Sequence, residues 1–114
     1  MRLSPLAPLG WMISGGLALA YMVAGRYAEG IELADQTLRD QPDTVPVLLI
    51  KAACCGHLGR SHEGADTVRR LRAIFPRLTV ARYTSQAAIF LRPDVLALYA
   101  EGLGKAGLRA GEDA

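Results

Sequence analysis

A 34-residue recurrence constrains this chain more than any other feature of its sequence. Three pairs of positions recur with this spacing: Gly25-Arg26 with Gly59-Arg60, Glu29-Gly30 with Glu63-Gly64, and Pro42 with Pro76. Glycine commonly follows the last residue of a helix, and proline cannot continue one. The recurring residues therefore divide the chain into units of two helices, with a tight turn inside each unit and a proline stop after it. A fixed period of this length is typical of helical repeat proteins.

Helical periodicity between these stops predicts six helices and no strand. The predicted helices cover about 11–24, 27–40, 45–58, 61–75, 79–91 and 93–106. Apolar and small residues recur at i, i+3 and i+4, and they assign an inward face to each helix. We expect Leu17 and Ala65 on such inward faces, and Ser61 as the N-cap of the fourth helix. The sequence therefore predicts an all-α protein of one domain.

The recurring residues resemble the tetratricopeptide repeat (TPR) pattern of Trp-x-x-Leu-Gly-x-x-Tyr, then Ala-x-x-x-Phe, then Pro. The first unit supplies Leu17, Ala18, Tyr21, Gly30, Ala34 and Pro42, and the second supplies Leu48, Ala52, Cys55, Gly64, Val68 and Pro76. The chain departs from the pattern at Ser14, where a large residue is usual, and at Lys51, where a buried Leu is usual. Lys51 either extends its ammonium group to solvent, marks a local shift of register, or contacts a buried anion.

The resemblance implies a right-handed array of about two and a half helix–turn–helix repeats with a C-terminal capping helix. It divides the chain into 1–10, a linker or the tail of a preceding repeat; 11–92, the repeat domain; and 93–114, the capping helix followed by a frayed tail. Two segments carry a closer resemblance, RLSPLAPLGWMISGGLALAYMVAGRYAEGIELADQTL and RPDVLALYAEGLGKAGL. They look like the terminal TPR region of bacterial adenylate/guanylate cyclases and related TPR regulators, in which a catalytic or DNA-binding domain precedes the repeats. No residue here matches a cyclase active site, so the resemblance implies a regulatory or assembly role.

Composition excludes several classes of function. The net charge is only +2, which is too small to indicate a nucleic-acid-binding protein. The longest apolar run, Trp11 to Ala24, is shorter than 18 residues, so no membrane span is expected. The N-terminus makes a poor signal peptide, and two adjacent cysteines make no disulfide framework. We therefore expect a cytoplasmic protein with no cofactor.

Two groups of reactive or charged residues are candidate sites. Cys54, Cys55, His57 and His62 lie close together, but their spacing fits no tetrahedral zinc pattern, and adjacent residues on a helix point about 100° apart. The sequence around the cysteines contains no motif that indicates nucleophilic catalysis. A second group is a run of basic residues that comprises Arg69, Arg70, Arg72, Arg77 and Arg82. This run suggests either a patch for an acidic partner or a solvated helix face, and we favour the solvated face. We expect no metal site and no enzyme activity in this chain.

The concave groove implied by the TPR resemblance is the candidate binding surface. It is lined by the first helix of each unit, and almost all of its positions are apolar. The predicted partner-binding residues are Met12, Leu19, Met22, Val23, Leu49, Ala53, His57, Tyr83 and Phe90. An open apolar groove is covered in most proteins, so either the C-terminal helix fills it or a second copy or another protein's amphipathic helix does. A small-molecule sensor is a further alternative, with His57 and Lys51 as its polar groups.

The predicted function is therefore protein–protein interaction or self-association through this groove. Its partner would be a protein or peptide helix, possibly a second copy in a homodimer, and neither nucleic acid nor a membrane. The alternative prediction is a regulatory C-terminal domain of a nucleotide cyclase or of a TPR-containing transcriptional regulator.

Overall fold

Six α-helices make up the part of the chain that the structure describes. The structure is a computed structural model that describes residues 7–111, with the side chains of residues 7–9 and 11 left out. The helices are α1 (Ala7–Val23), α2 (Tyr27–Asp40), α3 (Val45–Leu58), α4 (Ser61–Ile74), α5 (Val80–Ala87) and α6 (Pro93–Ala106). No strand occurs between residues 7 and 111. The prediction of an all-α protein is confirmed, and the predicted bounds of α2, α3 and α6 are correct.

Glycine and proline end these helices in two different ways. Helices α1, α3 and α6 are each followed by a glycine in the left-handed conformation, Gly25, Gly59 and Gly107, with φ of 80°, 83° and 111°. At each of them the next amide bonds back to a carbonyl five residues earlier, as Arg26 N does to Tyr21 O at 2.8 Å. This Schellman arrangement satisfies carbonyls that the helix end leaves unpaired. Helices α2 and α4 end without such a glycine, one or two residues before a proline.

Three predicted boundaries are wrong. Helix α1 begins at Ala7, four residues before the predicted start at Trp11. Ser61 is the first residue of α4 and Arg60 is its N-cap, which makes no side-chain capping bond. Helix α5 ends at Ala87, one turn before the predicted Leu91. Arg92, the residue before Pro93, has an extended backbone with ψ of 152°, so no helix continues through it into α6. The predicted fraying at 112–114 and the linker at 1–6 lie outside the described residues.

Helix α3 is the centre of the fold. It packs against α1, α2, α4 and α6, and eight of its residues are buried, from Val47 to Cys55 without Lys51. Around it, the largest fully buried side chains include Met22 of α1, Ile31 of α2, Leu71 of α4 and Leu103 of α6. A helix that is apolar on all sides is expected in the middle of a domain. One continuous core therefore joins five of the helices through α3.

Helices α3 and α6 approach each other more closely than side chains would allow. A Cβ atom built on Gly56 would lie 1.9 Å from the carbonyl oxygen of Gly102. A Cβ atom built on Gly102 would lie 2.4 Å from the carbonyl oxygen of Ala53. Glycine at both positions lets the two backbones touch. The C-terminal helix is thus an integral part of the core.

Helix α5 packs chiefly against α6. Its first two amides donate outside the helix, Val80 N to Arg109 O at 2.8 Å and Ala81 N to Ala110 O at 2.9 Å. Thr79 caps it, because its side chain accepts a hydrogen bond from Arg82 N at 3.1 Å. The segment after α6 therefore holds the start of α5 in place.

Two predicted inward residues are in fact exposed. Leu17 of α1 and Ala65 of α4 face outward, and their neighbours Ala18 and Gly64 are buried instead. In α1 the error has a physical cause, since this helix carries no charged residue and its periodicity does not distinguish an inner face. Over the range that the structure describes, every helix is too short or too polar to span a lipid bilayer.

Candidate functional site

An apolar groove lies between α1, α3 and the end of α5. Its volume is about 360 Å³, and it is lined by Met12, Gly15, Gly16, Leu19, Pro46, Leu49, Ile50, Tyr83, Phe90, Leu91 and Tyr99. None of these residues is charged. The hydroxyls of the two tyrosines are therefore the only polar side-chain groups among its lining residues. This cavity is called the α1–α3 groove below.

The structure brings five of the nine predicted partner-binding residues together in the α1–α3 groove: Met12, Leu19, Leu49, Tyr83 and Phe90. Met12 and Phe90 are the most accessible of the five, with 54% and 73% of their surface exposed. Leu49 forms the floor and is only 5% exposed. The groove therefore has a buried floor and two exposed walls.

The other four predicted residues lie elsewhere. Met22 and Ala53 are 0% exposed and belong to the core, so neither is accessible to a partner. The prediction failed for Ala53 because Gly102 of α6 lies directly on it. Val23 is exposed at the end of α1, outside the groove lining. His57 is half-buried under α6. Helix α6 therefore covers the C-terminal part of α3, which was predicted to face a partner.

His57 joins three helices and is not free to contact a ligand through both ring nitrogens. Its Nε2 atom donates to the carbonyl oxygen of Leu98 in α6, at 2.8 Å. Its ring stacks on that of Tyr27 in α2, with 4.8 Å between the centroids and 12° between the planes. A buried polar group with a partner stabilises the packing around it. The contacts of His57 are those of a structural residue.

Tyr83 and Tyr99 form the polar corner of the groove. Their ring centroids are 5.1 Å apart and their planes are inclined by 59°. Burial raises the pKa of Tyr83, and the hydrogen bond to Tyr99 partly offsets that effect. Burial, together with the charge and hydrogen bond of Tyr83, raises the pKa of Tyr99 further. Both hydroxyls therefore stay protonated and neutral at physiological pH, which suits an apolar ligand.

Gly16 and Ile50 are groove residues that the sequence did not reveal. Tyr99 belongs to the C-terminal helix that was expected to fill the groove, and its position beside Tyr83 depends on α5 packing against α6. A second cavity of about 400 Å³ shares Leu49 and Tyr83 with the α1–α3 groove, and it is lined besides by Val45, Phe75, Pro76, Arg77, Leu78, Arg82 and Gln86. Arg77 and Arg82 thus line a cavity that adjoins the groove.

The Lys51 ammonium group is held between two carboxylates. Its Nζ atom lies 2.6 Å from Oδ1 of Asp35 in α2 and 3.5 Å from Oε2 of Glu63 in α4. Burial alone would lower the pKa of Lys51, but the hydrogen bond and charge of Asp35, assisted by Glu63, outweigh it and raise that pKa. The lysine at a core position of the pattern therefore makes an anion contact within the chain, and it links α2, α3 and α4.

Cys54 and Cys55 are fully buried, and burial is the main reason that their pKa values rise to about 12 and about 11. Neither thiol is therefore ionised or accessible at neutral pH. Among the described residues, no three His, Cys, Asp or Glu side chains are placed to hold a metal ion.

The basic run does not form one continuous patch. Arg69 pairs with Asp66 on the same helix. Arg70 pairs with Asp43 at 2.9 Å and also donates to the carbonyl oxygen of Pro42. Arg77 and Arg82 line the second cavity instead. These positions fit a solvated face of α4 and a separate basic end beside α5.

A scan against protein-family models, a search of curated proteins and a search of solved structures each find no match to this chain. Function is therefore inferred from the chain's own residues and their geometry.

Proposed function

We propose that this chain is a non-catalytic protein–protein interaction module, which binds the apolar face of a partner's helix in the α1–α3 groove. The observation that carries the proposal is the uncharged lining of that groove, in which Met12 and Phe90 are exposed. Exposed apolar clusters of this kind typically mark interaction sites. An amphipathic helix fits such a groove by placing residues i, i+3 or i+4, and i+7 into it.

We further propose that the helices form a TPR-like array. The 34-residue recurrence supports this, and so do the contacts of its two small residues. A Cβ atom on Gly30 would lie 3.3 Å from the Ala18 carbonyl oxygen in α1 and 3.2 Å from Cys54 Sγ in α3. A Cβ atom on Gly64 would lie 3.2 Å from the Cβ atoms of Cys55 in α3 and Ala106 in α6. Each glycine thus lies where three helices meet, and α6 takes the place beside α4 that α3 takes beside α2. In this arrangement α6, and not α5, acts as the first helix of the third unit.

The partner's chemistry follows from the lining of the groove. An apolar helix face would contact Leu19, Leu49 and Phe90. Methionine in the wall allows the groove to accommodate side chains of different shape.

The second candidate is a regulatory role within a cytoplasmic nucleotide cyclase or a TPR-containing transcriptional regulator. It is favoured only by the resemblance of the two segments at the ends of the chain, which include α1, α2 and α6. The interaction module and the regulatory role differ in the genetic context that they predict. A cyclase or DNA-binding domain encoded next to this chain in the same gene would favour the regulatory role.

The test of the interaction module is a selection from a phage-displayed library of random amphipathic helical peptides. We expect enriched peptides with apolar residues spaced by three or four. Phe90→Glu should weaken their binding at least tenfold, because a charge would be buried in an apolar contact. Ile89→Glu is the matched control, since Ile89 is the next residue, is 88% exposed and does not line the groove. Equal binding to both variants, or no enrichment, would refute the proposal.

A further inference from the structure

Residues 79–91 carry Tyr83 and Phe90 of the α1–α3 groove, and they comprise Thr79, α5 and the turn that follows it. This segment is called the α5 wall below. Helix α5 is described in full, and Ala87 is the one buried residue among its eight. Helices α2, α3, α4 and α6 each bury four residues or more. Elements with few buried contacts open locally at a lower free energy than the core does. Of these five helices, α5 is therefore the one that should open most readily.

A short segment after α6 fastens the beginning of the α5 wall. Leu108 is 3% exposed and belongs to the core, so this segment starts from a fixed point. The carbonyl oxygens of the next two residues, Arg109 and Ala110, accept hydrogen bonds from Val80 N and Ala81 N at 2.8 and 2.9 Å. The first amides of a helix have no acceptor within that helix. These two bonds therefore join α5 to the core without contributing to the hydrogen bonds of α5 itself.

The opposite end of the α5 wall is exposed. Ile89 and Phe90 are 88% and 73% exposed. The Phe90 amide donates to the carbonyl oxygen of Ala87 at 3.0 Å, so this bond lies within the wall. In the middle of the wall, the ring of Tyr83 contacts that of Tyr99 in α6. The position of Phe90 in the groove therefore depends on how α5 is held at its first turn and at Tyr83, and on the link to α6.

We propose that the α5 wall opens from the core as one unit, and that residues 108–110 are the latch that controls this opening. Opening removes Tyr83 and Phe90 from the groove together and exposes the groove floor at Leu49. A partner that contacts Leu49 and Phe90 at once requires the closed state, so the latch sets the fraction of chains that can bind it. This consequence rests on the proposed function of the groove, whereas the opening of the wall does not.

Proline in the first turn of α5 tests the latch, because it removes one N–H group and is compatible with the start of a helix. The chain itself contains both precedents. Helix α6 begins with Pro93 after an extended residue, and Thr79, which precedes Val80, is likewise extended with ψ of 166°. Helix α3 has Pro46 as its second residue. Val80→Pro and Ala81→Pro should therefore each delete one latch bond and still allow α5 to form.

The measurement is amide hydrogen exchange of the whole chain, followed by NMR and corrected for intrinsic rates. In the unsubstituted chain, the amides of residues 83–91 should share one opening equilibrium and exchange at least roughly 100-fold faster than the buried part of α3. Val80→Pro should accelerate them roughly fivefold relative to Val80→Ala, which shortens the same side chain but keeps the N–H group. Ala81→Pro should accelerate them similarly relative to the unsubstituted chain, because Ala81 is exposed. The α3 amides should accelerate by the same factor, since unfolding also breaks the latch bond.

Three results would overturn the proposal. Exchange of the α5 wall as slow as that of α3 would show that the wall opens only with the core. Proline variants that accelerate α3 but not residues 83–91 would show that the wall frays without releasing the latch. Loss of all protection in both proline variants would show that residues 108–110 are core and not a latch.

A peptide enriched in the phage selection separates this proposal from the proposed function. It should slow the exchange of residues 83–91 in the unsubstituted chain, because it binds the closed state. Binding that leaves this exchange unchanged would place the peptide outside the α1–α3 groove and would refute the proposed function. The opening of the wall and its response to Val80→Pro are measured without the peptide, so they would stand or fall independently.

Discussion

The contact between α3 and α6 predicts opposite effects for one substitution at two glycines. Gly56→Ala places a methyl group 1.9 Å from a backbone oxygen of Gly102, whereas ordinary van der Waals contact begins near 3.4 Å. The two helices must separate by roughly the difference, because neither atom belongs to a flexible side chain. Overpacking of this kind costs about 1–3 kcal/mol, and alanine regains only about 0.5–1 kcal/mol of helix propensity. Since the separation also loosens the other contacts between α3 and α6, we expect a net loss of about 2 kcal/mol.

Gly104→Ala is the matched control in α6. Nothing lies within 4 Å of a Cβ atom at this position, and the glycine is in ordinary helical conformation. Alanine there should stabilise the chain by about 0.5–1 kcal/mol. Urea unfolding followed by circular dichroism at 222 nm measures both changes, and the melting temperature of Gly56→Ala should fall by about 8 °C. If Gly56→Ala were as stable as Gly104→Ala, α6 would not pack on α3 at this distance, and the description of the C-terminal helix as core would be wrong.

Two further predictions concern the buried ionisable groups. Burial is the main reason that the pKa values of Cys54, Cys55 and Tyr99 are raised in the folded chain. The stability that these groups contribute is therefore fully present below their pKa values in the unfolded chain. It is lost as the pH rises towards their pKa values in the folded chain. The urea concentration at the unfolding midpoint should therefore fall from about pH 8.5 upward, and more steeply above about pH 10. Between about pH 10 and 11 the midpoint of Tyr99→Phe should fall less than that of the unsubstituted chain. A midpoint that does not change with pH would contradict this. The thiols of Cys54 and Cys55 should also react with Ellman's reagent at pH 8 roughly 1,000-fold more slowly than a cysteine introduced at the exposed position 97 of α6, Ala97→Cys, because the buried thiols react only when the chain opens. Fast labelling would show that the core around α3 is open.

Helix ends were predictable because they depend on local chemistry. Gly25, Gly59 and Gly107 each take a left-handed conformation that other residues adopt at a cost, so the sequence alone places the ends of α1, α3 and α6 within a residue or so. The small residues Gly30 and Gly64 were likewise predicted at close helix contacts. Buried positions in α2 and α6 followed from their periodicity, since charged residues mark the outer sides of both helices.

Long-range packing was not predictable from the same signals. The groove residues Met12, Leu19, Leu49, Tyr83 and Phe90 were chosen from the TPR resemblance, and they do come together. Met22 and Ala53 were chosen in the same way and lie in the core, because the resemblance does not say which helix covers the end of α3. Glycine at position 102 is a weak signal by itself, since its importance depends on Ala53 and Gly56 in a different helix. No local pattern relates residues so far apart in the sequence.

The close contact of α3 with α6 and the open groove have a common origin. Gly102 lets α6 lie directly on α3, so that α6 and not α5 packs along this side of α3. Helix α5 is then held at the periphery by the backbone hydrogen bonds to Arg109 and Ala110 and by the contact between Tyr83 and Tyr99. The space between α1, α3 and the end of α5 is left without a helix, and that space is the α1–α3 groove. A side chain at position 102 would therefore disturb the groove as well as the core, because the wall that carries Tyr83 is positioned by α6.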